Sequence, residues 1–109
     1  ALDTYPYPGG GTTCDALYMG TPVVTRYGRR FGSRFGLSLL SAAGIPELAA
    51  ATPEEYVEKA AALAREPELL AALQESLRTR MEASPLMDGA GYAREVEGLY
   101  EAAWRTWLQ

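Results

Sequence analysis

The sequence predicts an α/β fold in which short parallel strands near the N-terminus are followed by several helices. Three observations predict it. Ala1-Leu2-Asp3 reads as the end of a strand, and Pro22-Val23-Val24-Thr25 is a second one, short and rich in β-branched residues. Between them lie a glycine-rich turn and a helical stretch from about Thr13 to Met19, closed by Gly20. The order strand, turn, helix, strand is that of a parallel unit, because parallel neighbours need a crossover rather than a hairpin.

Each later element follows from its own signals. After Val24 the pattern becomes helical to the end. Ser33 to Ala43 places Phe35, Leu39, Leu40 and Ala43 at helical spacing before Gly44. Ile45 to Leu48 reads as a short helical turn. Thr52-Pro53-Glu54-Glu55 is a helix start: threonine caps, proline suits the first helical position, and Glu55 completes a capping box. That helix is expected to reach about Arg65. Pro67 opens the next, with Leu69, Leu70, Leu73, Leu77 and Met81 on one stripe. Ser84-Pro85 breaks the pattern. The last helix, from about Gly89 to Leu108, sets Tyr92, Val96, Leu99, Tyr100, Ala103, Trp104 and Trp107 along one face. Core packing is the first expectation for that face, and docking against a further domain is the alternative. Residues 1–30 thus form a strand-helix-strand unit and 31–109 a helical remainder.

Composition narrows the chemistry. With 48% apolar and 22% charged residues, the chain is of ordinary globular type. No apolar run approaches the roughly 20 residues of a membrane span, so no membrane partner is expected. A single cysteine, Cys14, excludes an internal disulfide and fits a reducing compartment, so a cytoplasmic location is expected. The absence of histidine removes Ser-His-Asp and Cys-His catalysis and histidine-based zinc sites; no metal and no cofactor are expected. The net charge of −4 divides unevenly: residues 1–34 carry four arginines against Asp3 and Asp15, whereas residues 35–109 carry six basic and twelve acidic groups. A small anion near the N-terminal third fits this better than a nucleic acid spread over the surface.

The turn YPYPGGGTTCDAL, residues 5–17, lies in that basic part. Glycines let the backbone approach a ligand closely, and successive amides form an anion-binding concavity. A helix start adds unpaired N–H groups and the positive end of a dipole. Gly10, Gly11, Thr12 and Thr13 are therefore the candidate diphosphate-binding residues, and Asp15, one turn on, the candidate for ribose hydroxyls. Each has a plain structural alternative: the glycines as a sharp turn, Asp15 as an acid favoured near a helix start. The turn is not a P-loop, since no lysine precedes Lys59, and Cys14 breaks a G-x-G-x-x-G pattern. Arg26 and Arg29 read as solvated loop cations. Arg34 opens a helix on an apolar face, which predicts a buried ion pair or a cation reaching the cleft.

The stretch LDTYPYPGGGTTCDALYMGTPVVT, followed by GRRFGSRFGLSLLSAAGIPEL, resembles the C-terminal catalytic half of the O-linked N-acetylglucosamine transferases and their SPINDLY-like bacterial relatives. EEYVEKAAALA, the SPLMD break and the closing LYEAAWRTW agree with it in one register. The resemblance implies part of the C-terminal, Rossmann-like domain of a GT-B glycosyltransferase, which holds the nucleotide-sugar. It implies that Gly10, Gly11 and Thr12 lie at the donor diphosphate and Asp15 at the ribose. The animal enzymes carry His-Thr-Thr where this chain has Gly10, Gly11 and Thr12, so contact here is expected to run mainly through backbone. The implied reaction moves N-acetylglucosamine from UDP-N-acetylglucosamine to protein serine and threonine hydroxyls. Two alternatives stay open: a different donor such as GDP-fucose, or a non-catalytic interaction module. The implied partners are the UDP-sugar, a protein acceptor met through upstream regions, the N-terminal GT-B domain and tetratricopeptide repeats. The fragment alone is expected to be inactive. With an unpaired strand edge, it is also expected to associate, a dimer being the simplest form.

Overall fold

A computed structural model describes all of residues 1–109. Three short extended segments lie side by side and parallel. Leu2 bridges Val24, with Asp3 N–H donating to the Val24 carbonyl at 2.9 Å. Strand β1 (Thr25–Arg26) pairs with strand β2 (Ala49–Ala50), Thr25 opposite Ala49. The parallel expectation therefore holds, with two differences. The second strand is displaced C-terminally to Thr25–Arg26. The supposedly helical remainder contains β2, whose two alanines carry none of the β-branched signal that marks a strand. Ala50 is fully buried, and small side chains let helices close over this end of the sheet.

Five helices accompany these strands: α1 (Gly11–Tyr18), α2 (Phe35–Ala42), α3 (Pro53–Arg65), α4 (Pro67–Glu82) and α5 (Gly89–Trp107). Helix α1 begins two residues earlier than the sequence predicts, with Gly10 as its cap residue. Its end is fixed by a Schellman motif: Thr21 N–H donates to the Ala16 carbonyl and Gly20 N–H to that of Leu17. Gly20 sits at φ +85°, and a Cβ there would lie 2.9 Å from the Gln74 carbonyl oxygen of α4. Gly44 ends α2 with the same motif. The Thr52 hydroxyl accepts from Glu55 N–H at 3.1 Å, and the Glu55 carboxylate returns to Ala51 N–H at 3.2 Å. The box closes one residue before the cap's own amide.

The core joins these pieces around Leu17 of α1, Leu40 of α2, and Leu77 and Met81 of α4, with Val23, Ala43, Ile45 and Ala49. Helix α2 packs on both strands, and α1 lies between α2 and α4. Arg78 of α4 adds a polar brace, its Nε donating to the Tyr18 carbonyl at 3.0 Å and its guanidinium lying over the Tyr18 ring. The helix that follows the glycine turn is thus held firmly at its C-terminal end.

Helix α5 overturns the core expectation for its aromatic face. No residue on it is buried, and Tyr92, Leu99, Tyr100, Trp104 and Trp107 are 58–75% exposed. Trp104 and Trp107 stack on each other, ring centroids 5.3 Å apart. Its main neighbour is the single turn at Pro85–Met87. Helical spacing shows that a face is apolar and leaves open what covers it. No helix is long and apolar enough to cross a membrane.

Candidate functional site

Parallel strands place the segments that follow them at one edge of the sheet, where open α/β sheets take ligands. Here those segments are the glycine turn after Asp3 and the loop after Arg26. The turn leads directly into α1. The first backbone bond of the helix runs from Cys14 N–H to the Gly10 carbonyl at 3.1 Å, and no side chain caps the helix. The amides of Gly11, Thr12 and Thr13 are left unpaired, as at any uncapped helix start. They form a small field of donors backed by the α1 dipole.

The three glycines are not equivalent. A Cβ on Gly10 or Gly11 would meet nothing within 4 Å, so these two face open space. A Cβ on Gly9 would lie 2.6 Å from Thr13 Oγ1 and 2.8 Å from Thr12 Oγ1. Gly9 is therefore a packing glycine, over which both threonine hydroxyls close. Thr12 is exposed, whereas Thr13 is 4% exposed, so Thr13 presents little beyond its amide. Asp15 is exposed, four residues after Gly11 and on the same helical face. Opposite the turn, α2 supplies a wall. Gly10, Phe35, Ser38 and Leu39 line a cavity of about 310 Å³.

Of the arginines, Arg26 departs from its sequence reading, Arg29 keeps it, and Arg34 departs from the ion-pair alternative alone. Arg34 makes no buried ion pair; it is exposed, donates from Nη1 to the Gly28 carbonyl at 2.7 Å, and has its guanidinium 5.2 Å from the Tyr27 ring centre. Arg26 is not a loop cation: it lies in β1, its guanidinium 3.8 Å above the Tyr5 ring and its Nε buried without a hydrogen-bond partner. Arg29 is exposed, as expected. No group of three acidic or cysteine side chains converges to hold a metal.

Sequence reasoning passed over Asp3 and Tyr56. Asp3 Oδ1 accepts from Gly9 N–H at 2.8 Å and Thr4 N–H at 3.0 Å, and Oδ2 accepts from the Thr25 hydroxyl at 2.8 Å. The Tyr56 hydroxyl of α3 donates to the Asp3 carbonyl at 2.9 Å. Burial, with the Asp3 charge added, pushes the Tyr56 phenol up, which keeps it a donor. The available signal was an acid ending a strand directly before a glycine turn. The Tyr56 contact spans 53 residues and has no local signature.

Free helix-start amides at the carboxyl edge of a parallel sheet, next to a cavity walled by Phe35 and Leu39, are the kind of arrangement in which α/β folds can take an anionic group. Residues 1–96 match the family described as Glycosyl transferase family 41, and the chain belongs to that family. It is 45% identical over 107 residues to a protein of Solanum lycopersicum described as a probable UDP-N-acetylglucosamine–peptide N-acetylglucosaminyltransferase SPINDLY, covering 98% of this chain and 12% of that protein. It is 35% identical over 106 residues to the UDP-N-acetylglucosamine–peptide N-acetylglucosaminyltransferase of Caenorhabditis elegans, covering 97% of this chain and 9% of that one. Among solved structures, a mutant of the Thermobaculum terrenum O-GlcNAc transferase matches with a TM-score of 0.89 and 42% identity, over 97% of this chain and 20% of that one. The chain thus spans about an eighth of the length of its curated plant relatives. The α/β, GT-B reading of the fold stands on this match.

Proposed function

We propose that this chain forms the diphosphate-binding half of the donor site in an enzyme that moves N-acetylglucosamine from UDP-N-acetylglucosamine to protein serine and threonine hydroxyls. The observation that carries the proposal is the uncapped start of α1, with Gly10 and Gly11 open to solvent and the amides of Gly11, Thr12 and Thr13 unpaired. The names of the relatives support the donor and acceptor classes. Glycosyl transfer leaves negative charge on the departing diphosphate. Fixed amides with a helix dipole behind them stabilise that charge without reorganising. The Thr12 hydroxyl adds a donor at the same height, and Asp15, one turn on, accepts from the ribose hydroxyls.

The base-reading groups, the proton-transfer groups and the acceptor surface belong to other parts of the enzyme. The face of α5 fits against those parts, because a row of exposed tryptophans and tyrosines is the kind of surface that a protein interface buries. Calorimetric titration of the full-length enzyme with UDP tests the donor site. Thr12→Ala removes one hydrogen bond to a charged group and is expected to weaken UDP about tenfold, with the thermal unfolding temperature unchanged. Equal affinity in wild type and variant removes Thr12 from the site.

A further inference from the structure

We propose that Asp3 is a positioning residue that holds the glycine turn in its ligand-ready shape before the donor arrives. The inference rests on the donor-site reading above and adds a residue that makes no ligand contact itself.

The carboxylate is committed on both oxygens. Oδ1 takes the Gly9 and Thr4 amides, and Oδ2 takes the Thr25 hydroxyl, a side chain with 0% exposure in the middle strand. The turn is thereby tied to the buried middle strand of the sheet, one residue before Gly10. The main-chain carbonyl of the same residue is fixed from the other side by Tyr56 of α3. Helix α2 closes the enclosure. A Cβ on Gly36 would lie 2.2 Å from Thr25 Oγ1 and 2.9 Å from Asp3 Oδ2, so α2 approaches the pair as only a glycine permits. Gly9 then passes the constraint on, since the Thr12 and Thr13 hydroxyls pack over it. The path runs from Thr25 through Asp3 and Gly9 to the first turn of α1. Taking up the Gly9 amide also confines the free donors to the residues after it, where the open glycines are. Preorganisation of this kind lowers the ordering that binding must otherwise supply.

The test uses the full-length enzyme, with UDP as the probe. Asp3→Ala is expected to weaken UDP at least tenfold, while Asp3→Asn, which keeps an acceptor for Gly9 and a polar partner for Thr25, stays within about threefold of wild type. Hydrogen exchange at the Thr4 and Gly9 amides is expected to quicken in Asp3→Ala and not in Asp3→Asn, with α4 unchanged in both. If Asp3→Ala does not fold, Thr25→Val, which removes the Oδ2 contact alone, is expected to weaken UDP about threefold with the same local rise in exchange. Wild-type affinity in the variant that folds, or equal losses in Asp3→Asn and Asp3→Ala, overturns the positioning role while leaving the donor site standing. Failure of the wild-type enzyme to bind UDP at all overturns the donor-site reading instead.

Discussion

Gly9→Ala is the substitution for which the structure gives the sharpest expectation. The added Cβ would sit 2.6 Å from Thr13 Oγ1 and 2.8 Å from Thr12 Oγ1, well inside the 3.4 Å at which ordinary contact begins. To make room, each threonine must change its χ1 rotamer or move its backbone. Overpacking of this kind costs about 1–3 kcal/mol. The backbone that must yield is the first turn of α1, so the cost falls partly on the fold and partly on the site. Borne wholly by ligand binding, it corresponds to a loss of about 5- to 150-fold in UDP affinity. Gly11→Ala is the control. Its Cβ meets nothing within 4 Å, and it is expected to leave stability within about 0.5 kcal/mol. The assay is UDP titration by calorimetry, paired with thermal unfolding, on both full-length variants. If Gly9→Ala keeps wild-type affinity and stability, the threonines do not close over Gly9 as described.

Two further outcomes follow from the exposed α5 face and from the neighbourhood of Cys14. In the isolated chain, Trp104 and Trp107 are expected to emit as water-exposed indoles and to be quenched freely by acrylamide; in the full-length enzyme both properties are expected to shift toward burial, and unchanged quenching there would count against docking of α5. The Cys14 thiol is held above the usual thiol range, first by burial and then by the Asp15 charge. Its thiolate is therefore scarce at neutral pH, alkylation by iodoacetamide is expected to be slower than for free cysteine with a pH midpoint displaced upward, and Asp15→Asn is expected to move that midpoint down; a midpoint that ignores Asp15 contradicts the placement of its carboxylate.

Local rules made much of this molecule legible. Gly20 and Gly44 announced the ends of α1 and α2, and both adopt the positive φ such stops use. Thr52 and Glu55 announced the start of α3, and both make their capping bonds. What stayed hidden depends on partners distant in sequence. Ala49 and Ala50 form a strand because Thr25 and Arg26 are there to pair with them, and nothing in two alanines says so. The α5 stripe has a helical period, but period alone does not say which surface covers it. In the site, Gly10, Gly11 and Thr12 were read from a glycine turn before a helix. The division of labour within the triplet, with Gly9 packed and the next two open, appears only once the threonine side chains are placed. Asp3 was counted as a charge, and its hold on the turn emerged from contacts to Gly9 and Thr25.

The most direct test of the donor-site assignment is amide NMR of the full-length enzyme, labelled at glycine and threonine and titrated with UDP. Saturable shifts at Gly10, Gly11 and Thr12 are predicted, with Gly89, Gly91 and Gly98 of α5 unmoved. UDP binding that leaves the Gly10, Gly11 and Thr12 amides unshifted would place the diphosphate elsewhere and contradict the assignment.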